Sequence, residues 1–186
     1  MISYNFTNKT VLITAASKGI GFELAKQLVL LGANVSMSSR NTKNLRKAKK
    51  IIIGLKKDAK IFTVKQDLEN LNSLKNIVTN TEKYFKSKID ILINNSGGPD
   101  PKLIIDTSNR DWEKAFNINL KSAIYLSTYV IKNMRKKNWG RIVNLTSTTA
   151  KEPAKNMCLS NITRSGLISF SKTLSMEVAE YGITVN

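Results

Sequence analysis

At 186 residues and 41% hydrophobic content, the chain is one domain's length with enough apolar side chain for a sizeable core, which excludes a disulfide-stapled miniprotein and a disordered chain. Lys and Arg total 30 against 13 Asp and Glu, a net charge of +17, so exposed basic surface favours anionic partners. A single cysteine, Cys158, and the absence of histidine exclude an internal disulfide, a cysteine cluster for zinc, Ser-His-Asp catalysis and histidine-ligated metals.

The start, MISYNFTNKTVLITAAS, carries no cationic segment followed by an apolar stretch, and nowhere do about 18 apolar residues run together. A cytoplasmic protein without a membrane segment is expected. Val11-Leu12-Ile13 and residues 34–38, 61–64, 89–93, 141–145 and 183–185 read as strands separated by longer amphipathic segments. Parallel neighbours need crossovers, so the expected fold class is α/β: a doubly wound parallel sheet in a three-layer αβα arrangement. With only 3 prolines and no Gly/Ser linker or repeat, residues 1–186 read as one domain.

The helical segment 42–60 is the most basic: Lys43, Arg46, Lys47, Lys49, Lys50, Lys56, Lys57 and Lys60 against Asp58. Leu45, Ile52, Ile53 and Leu55 supply an apolar side, and no aromatics are interleaved for base stacking, so a solvated face is preferred over a surface for nucleic acid or an acidic protein.

Thr14-Ala15-Ala16-Ser17-Lys18-Gly19-Ile20-Gly21 follows the first strand and opens a helix with apolar positions Phe22, Leu24, Ala25 and Leu28. A strand-to-helix turn aims free N–H groups and the positive end of the helix dipole at a phosphate, and glycines let a pyrophosphate approach. This segment resembles the fingerprint of the short-chain dehydrogenase/reductase family: Thr-Gly, three residues, then Gly-x-Gly, with Ala15 in place of the first glycine. Alanine there costs about 1 kcal/mol if its φ is positive and nothing if negative. The resemblance implies a Rossmann site for a nicotinamide dinucleotide. About 20 positions after such a loop an acid selects NAD(H) and a base accommodates a 2′-phosphate. Here Arg40 stands 19 positions after Gly21, with no Asp or Glu between Lys26 and Lys57, and Lys18 adds a second cation, so NADP(H) is expected over NAD(H).

Further matches follow in family order. Asp67-Leu68 ends the third strand, where the family's Asp meets the adenine. Asn94-Asn95-Ser96-Gly97 ends the fourth, matching Asn-Asn-Ala-Gly with one change. Trp112, Phe116, Asn119, Ala123, Leu126 and Val130 recur at helical spacing, which sets Asn119 in an apolar stripe where its amide needs a partner or a water. The resemblance makes Asn119 the active-site Asn that holds a relay water. It makes Ser147, at the end of the fifth strand, the substrate-orienting serine.

In typical members a Tyr lies 13 residues beyond that serine with a Lys four further on. Alignment on Phe170, Lys172 and Leu174 puts Ser160 and Arg164 at those places. A serine is a far weaker acid than a phenol, and Arg keeps the charge without a labile proton. Leu159-Ser160-Asn161 and Arg164, with Asn95-Ser96-Gly97-Gly98-Pro99, resemble an atypical subgroup of 3-oxoacyl-acyl-carrier-protein-reductase-like members lacking the full tetrad. Gly182-Ile183-Thr184-Val185-Asn186 matches the family's sixth strand. Members continue into a substrate loop and a last strand, so a fragment or shortened form with an exposed sheet edge is expected.

The resemblance thus implies NADP(H)-dependent reduction of a carbonyl in a small-molecule or acyl-thioester substrate, with a 3-oxoacyl thioester foremost. Ser147 would orient the carbonyl, Arg164 would hold the nicotinamide ribose, and Ser160 or water would deliver the proton. A homodimer or homotetramer through the helices of Asn119 and of residues 160–180 is expected, on the apolar surface of Leu167, Ile168, Phe170, Leu174 and Val178. The alternative is an NADP(H)-binding pseudoenzyme acting as sensor or dimerisation partner.

Overall fold

The computed structural model describes residues 4–186. Six strands form one parallel sheet in the order β3-β2-β1-β4-β5-β6: β1 (Thr10–Ile13), β2 (Asn34–Ser39), β3 (Ile61–Lys65), β4 (Ile91–Asn94), β5 (Gly140–Asn144) and β6 (Ile183–Val185). The helices are α1 (Gly19–Leu30), α2 (Thr42–Leu55), α3 (Leu74–Phe85), α4 (Asn109–Phe116), α5 (Ser122–Lys137) and α6 (Cys158–Val178). The expected α/β doubly wound sheet is present, with β3 and β6 at its edges.

Alternate strand residues feed two cores. Val11, Ile13, Val35, Met37 and Ile93 pack with Ala25 and Val29 of α1 and Leu45 and Ile52 of α2 on one face. Leu12, Leu92 and Ile142 pack with Ile77 of α3, Leu126 and Val130 of α5 and Val178 of α6 on the other. Burial on both faces is why these strands read as continuous β-branched runs rather than alternating ones.

Three differences from the sequence reading are larger than the one-residue shifts seen at the other strand ends. The fourth strand begins at Ile91 rather than residue 89; the Asp90 carboxylate instead accepts from the Thr10 backbone N–H at 2.9 Å and Lys137 Nζ at 2.8 Å. α2 stops at Leu55, because Lys56 takes an extended backbone. Within α2 only Leu45, Ala48 and Ile52 are buried; Ile53 and Leu55 lie off that stripe and are exposed, so the expected apolar side is narrower. The third difference is a π-helical turn, Asn117–Lys121, between α4 and α5. The stripe from Trp112 to Val130 therefore runs over two helices with an irregular turn between them, a feature often found at functional positions.

Gly182 closes α6 onto β6 with φ +63°, and a Cβ there would meet the Asn138 carbonyl oxygen at 2.6 Å. Gly182→Ala should destabilise the protein by about 2 kcal/mol or more, since a left-handed alanine costs about 1–2 and overpacking about 1–3 kcal/mol. Urea unfolding of the two proteins measures it.

Candidate active site

In an open parallel sheet the crevice lies beyond the carboxyl ends of the strands where the chain reverses its winding direction, here between β1 and β4. Side chains fasten those two ends together. Thr14 Oγ1 donates to the Asn95 carbonyl at 2.6 Å and accepts the Asn95 N–H at 2.9 Å. Asn95 Nδ2 reaches the Thr14 and Ala15 carbonyls at 3.3 and 3.2 Å. The loop that follows is bent: Ala15 has φ +47° and Gly19 φ +60°. The expected cost at Ala15 is therefore incurred. A Cβ at Gly19 would meet nothing within 4 Å, whereas one at Gly21 would strike Asn95 Nδ2 at 2.6 Å and the Ala15 carbonyl at 2.8 Å. Gly19 thus opens space for a ligand, and Gly21 lets helix and strands close together. α1 begins with no side-chain cap and no acid in its first turn, leaving its N–H groups free for a phosphate.

A cleft of about 520 Å³ opens over this loop, and Ala15, Ser17, Lys18, Gly19, Ile20, Arg40, Asp67, Leu68, Ser96, Gly97 and Asn119 line it. Three expected cofactor residues lie outside the lining. Thr14 is spent on the staple, Gly21 on packing, and Asn94 donates from Nδ2 to Asn144 Oδ1 of β5 at 2.8 Å and Ser127 Oγ of α5 at 3.3 Å. The cleft also recruits residues the sequence reading passed over. Ser39 Oγ lies 2.9 Å from Ser17 Oγ at the end of β2, beside Arg40, and Lys102, Asp111 and Lys114 border the cleft. Asn95 had a signal, standing inside the quoted Asn-Asn-Ser-Gly run; Lys102 and Asp111 had none.

Lys102 Nζ and Asp111 Oδ2 are 2.6 Å apart. The Lys102 hydrogen bond, helped by Ser108, holds the Asp111 carboxyl well below the usual carboxylate range, and the same bond raises Lys102. Asp111 also closes the capping box of α4 with Ser108.

The expected catalytic residues divide into two networks. In the first, Arg164 is 6% exposed, and its guanidinium donates to the Leu145 carbonyl at 2.6 Å and Ser96 Oγ at 3.0 Å. Ser96 Oγ in turn donates to Asn119 Oδ1 at 2.9 Å. Burial lowers the Arg164 pKa, and no carboxylate pairs with it among the described residues. In the second, Thr149 Oγ1 donates to Ser147 Oγ at 3.0 Å and lies 3.4 Å from Ser160 Oγ. Ser147, Ser160 and Arg164 stand outside the cleft lining, while Asn119 and Leu159 belong to it. Cys158 is buried with its sulfur 3.3 Å from Thr107 Oγ1.

This fold, with a glycine-bearing strand-to-helix loop at the switch point, is the Rossmann-like fold of an oxidoreductase family. Residues 9–186 match the short chain dehydrogenase family, and the chain belongs to it. It is 38% identical over 180 residues to a 3-oxoacyl-(acyl-carrier-protein) reductase of Buchnera aphidicola subsp. Schizaphis graminum, covering 96% of this chain and 70% of that protein. It is 39% identical over 185 residues to the same reductase of Rickettsia typhi, covering 98% and 71%. Among solved structures it superimposes with a TM-score of 0.94, at 25% identity, on L-sorbose reductase from Gluconobacter frateurii complexed with NADPH and L-sorbose, covering 100% of this chain and 70% of that one.

Two outcomes follow from this geometry. Ala15→Gly should raise stability by about 0.5–1 kcal/mol, the left-handed strain of about 1–2 kcal/mol less the entropy a glycine adds to the unfolded chain. Thermal melting should show the gain as a rise of a few degrees. Because the folded Asp111 pKa is depressed, the stability it contributes is present above the unfolded carboxylate pKa of about 4 and lost as pH falls through the folded value. Asp111→Asn should flatten the acid side of a denaturation-midpoint against pH curve.

Proposed function

We propose that the chain is an NADP(H)-dependent carbonyl reductase acting on a 3-oxoacyl thioester, built as one nucleotide-binding domain. The observation that carries the cofactor preference is the charge at the adenosine end of the cleft: Arg40 and Lys18 line it, and no acid ends β2. The open space at Gly19 and the uncapped start of α1 fit a dinucleotide diphosphate. Asp67 and Leu68 fit the adenine side, and Ser96 and Gly97 the nicotinamide side. The bound dinucleotide would supply hydride; the rest of the chemistry falls to this chain. The two curated reductases support the substrate class.

In this reading the polarising groups are donors. Ser147 orients the carbonyl, and Arg164 holds the ribose from its buried seat. Asn119 has its carbonyl oxygen taken by Ser96, so it offers its amide N–H groups to a water or the substrate. Ser160 and Arg164 stand where a tyrosine and a lysine act in typical members, which is the basis for placing the chain in an atypical subgroup. Self-association as a homodimer or homotetramer through α5 and α6 belongs to the same reading. Leu167 and Val178 are core residues rather than surface, and Tyr125, Ile162, Ile168 and Met176 are the exposed side chains available for it.

Arg40→Asp is expected to weaken NADPH binding by about 10–100-fold while sparing or improving NADH, because a charge-assisted contact of about 1.5–3 kcal/mol is lost. Fluorescence titration of both nucleotides decides it, and equal affinities for the unmutated protein would sink the preference.

A further inference from the structure

Beside the cleft, Ser147 follows β5, Ser160 lies in the first turn of α6, and Thr149 stands between them. Each hydroxyl has one proton, which fixes the order of the bonds. The Thr149 hydroxyl donates to Ser147 Oγ at 3.0 Å. The 3.4 Å contact with Ser160 must then have Ser160 as donor, a loose bond. Ser160 is 4% exposed and has no other side-chain hydrogen bond among the described residues. The Thr149 backbone N–H also donates to Ser147 Oγ, at 3.2 Å. Ser147 Oγ thus accepts twice, and its own hydrogen is the free end of the chain Ser160 to Thr149 to Ser147.

We propose that Thr149 is a positioning residue that aims the Ser147 proton at the substrate oxygen and replaces it afterwards, so that a run of three aliphatic hydroxyls does the work of a single acidic phenol. This rests on the carbonyl-reductase reading and deepens it. As hydride from the reduced nicotinamide bonds to the carbonyl carbon, the C=O π pair moves to oxygen and takes the Ser147 proton. Ser147 Oγ takes the Thr149 proton, and Thr149 Oγ1, which is partly exposed, regains a proton from a solvent water that leaves as hydroxide, while Ser160 keeps its own proton. Two donors on Ser147 Oγ stabilise the charge that the departing proton leaves, which makes a poor acid a better one. Ser160 orients Thr149 by leaving it only one acceptor direction.

The test uses Thr149→Val and Thr149→Ser in the full chain. Thr149→Val should lose about 10²-fold in kcat on a 3-oxoacyl thioester, the low end of what a positioned proton donor contributes. KM and NADPH affinity by fluorescence should stay within about twofold, the pattern of an interaction made only in the transition state. Thr149→Ser should recover most of the rate. The solvent deuterium isotope effect on kcat should require more than one proton in flight in the natural protein and no more than one in Thr149→Val. Neutron diffraction supplies a readout free of turnover: deuterium on Ser160 facing Thr149, and on Thr149 facing Ser147. Unchanged kcat in Thr149→Val, or either deuterium turned away, overturns the relay. If NADPH binds and no 3-oxoacyl thioester is reduced, the reductase reading fails, and the deuterium positions still decide the hydroxyl order.

Discussion

The reciprocal bond between the Thr14 hydroxyl and the Asn95 main chain is the constraint on which the rest of the site depends. It joins the carboxyl ends of two strands that are neighbours in the sheet but 81 residues apart in sequence. With those ends fixed, Asn95 Nδ2 can hold the Thr14 and Ala15 carbonyls, which turns the loop backbone through the left-handed bend at Ala15. The bend in turn starts α1 close against β4, leaving no room for a side chain at Gly21. Cleft shape, loop strain and helix position are consequences of one side-chain staple.

Two cations near the cleft are held in contrasting ways. Lys102 has a carboxylate partner at the rim, whereas Arg164 is buried with only a carbonyl and a hydroxyl as partners. Removing a lone charge from water costs several kcal/mol, and hydrogen bonds to a charged group return about 1.5–3 kcal/mol each, so two such bonds offset the cost without a clear gain. Arg164 therefore does little for stability and much for placement. Through Ser96 it fixes which side of the Asn119 amide faces the cleft, a choice that neither Asn119 nor Ser96 could impose alone.

Strand identity was legible because a parallel sheet covered on both faces demands β-branched runs, and each of the six runs became a strand. The turn between β1 and α1 was legible from Gly19, Gly21 and their place between a strand and a helix. What escaped was whatever depends on side-chain pairing across the fold. Thr14 and Asn94 look like ligand residues in a motif, yet the Thr14 hydroxyl and the Asn94 Nδ2 group are bonded within the protein. The π turn at Asn117–Lys121 has no compositional mark, since NINLK suits an ordinary helix. Among the neighbouring threonines only tertiary geometry distinguishes Thr149. The apolar residues of α6 read as surplus surface, but Leu167 and Val178 fill the interior, because a helix packed on the sheet and its neighbours uses more than one stripe.

The strand order also dictates a schedule. β1 pairs with β2 soon after it in the chain, but its other edge waits for β4, and the bond from Thr10 to Asp90 closes a separation of 80 residues. As the chain leaves the ribosome, the β1-α1-β2-α2-β3 half is complete while the inner edge of β1 is still open to the wrong partner. Pairings so distant are slow to find because loop closure precedes any reward from contact. The loop after β1 is thus synthesised well before it takes its final shape, which waits for Asn95.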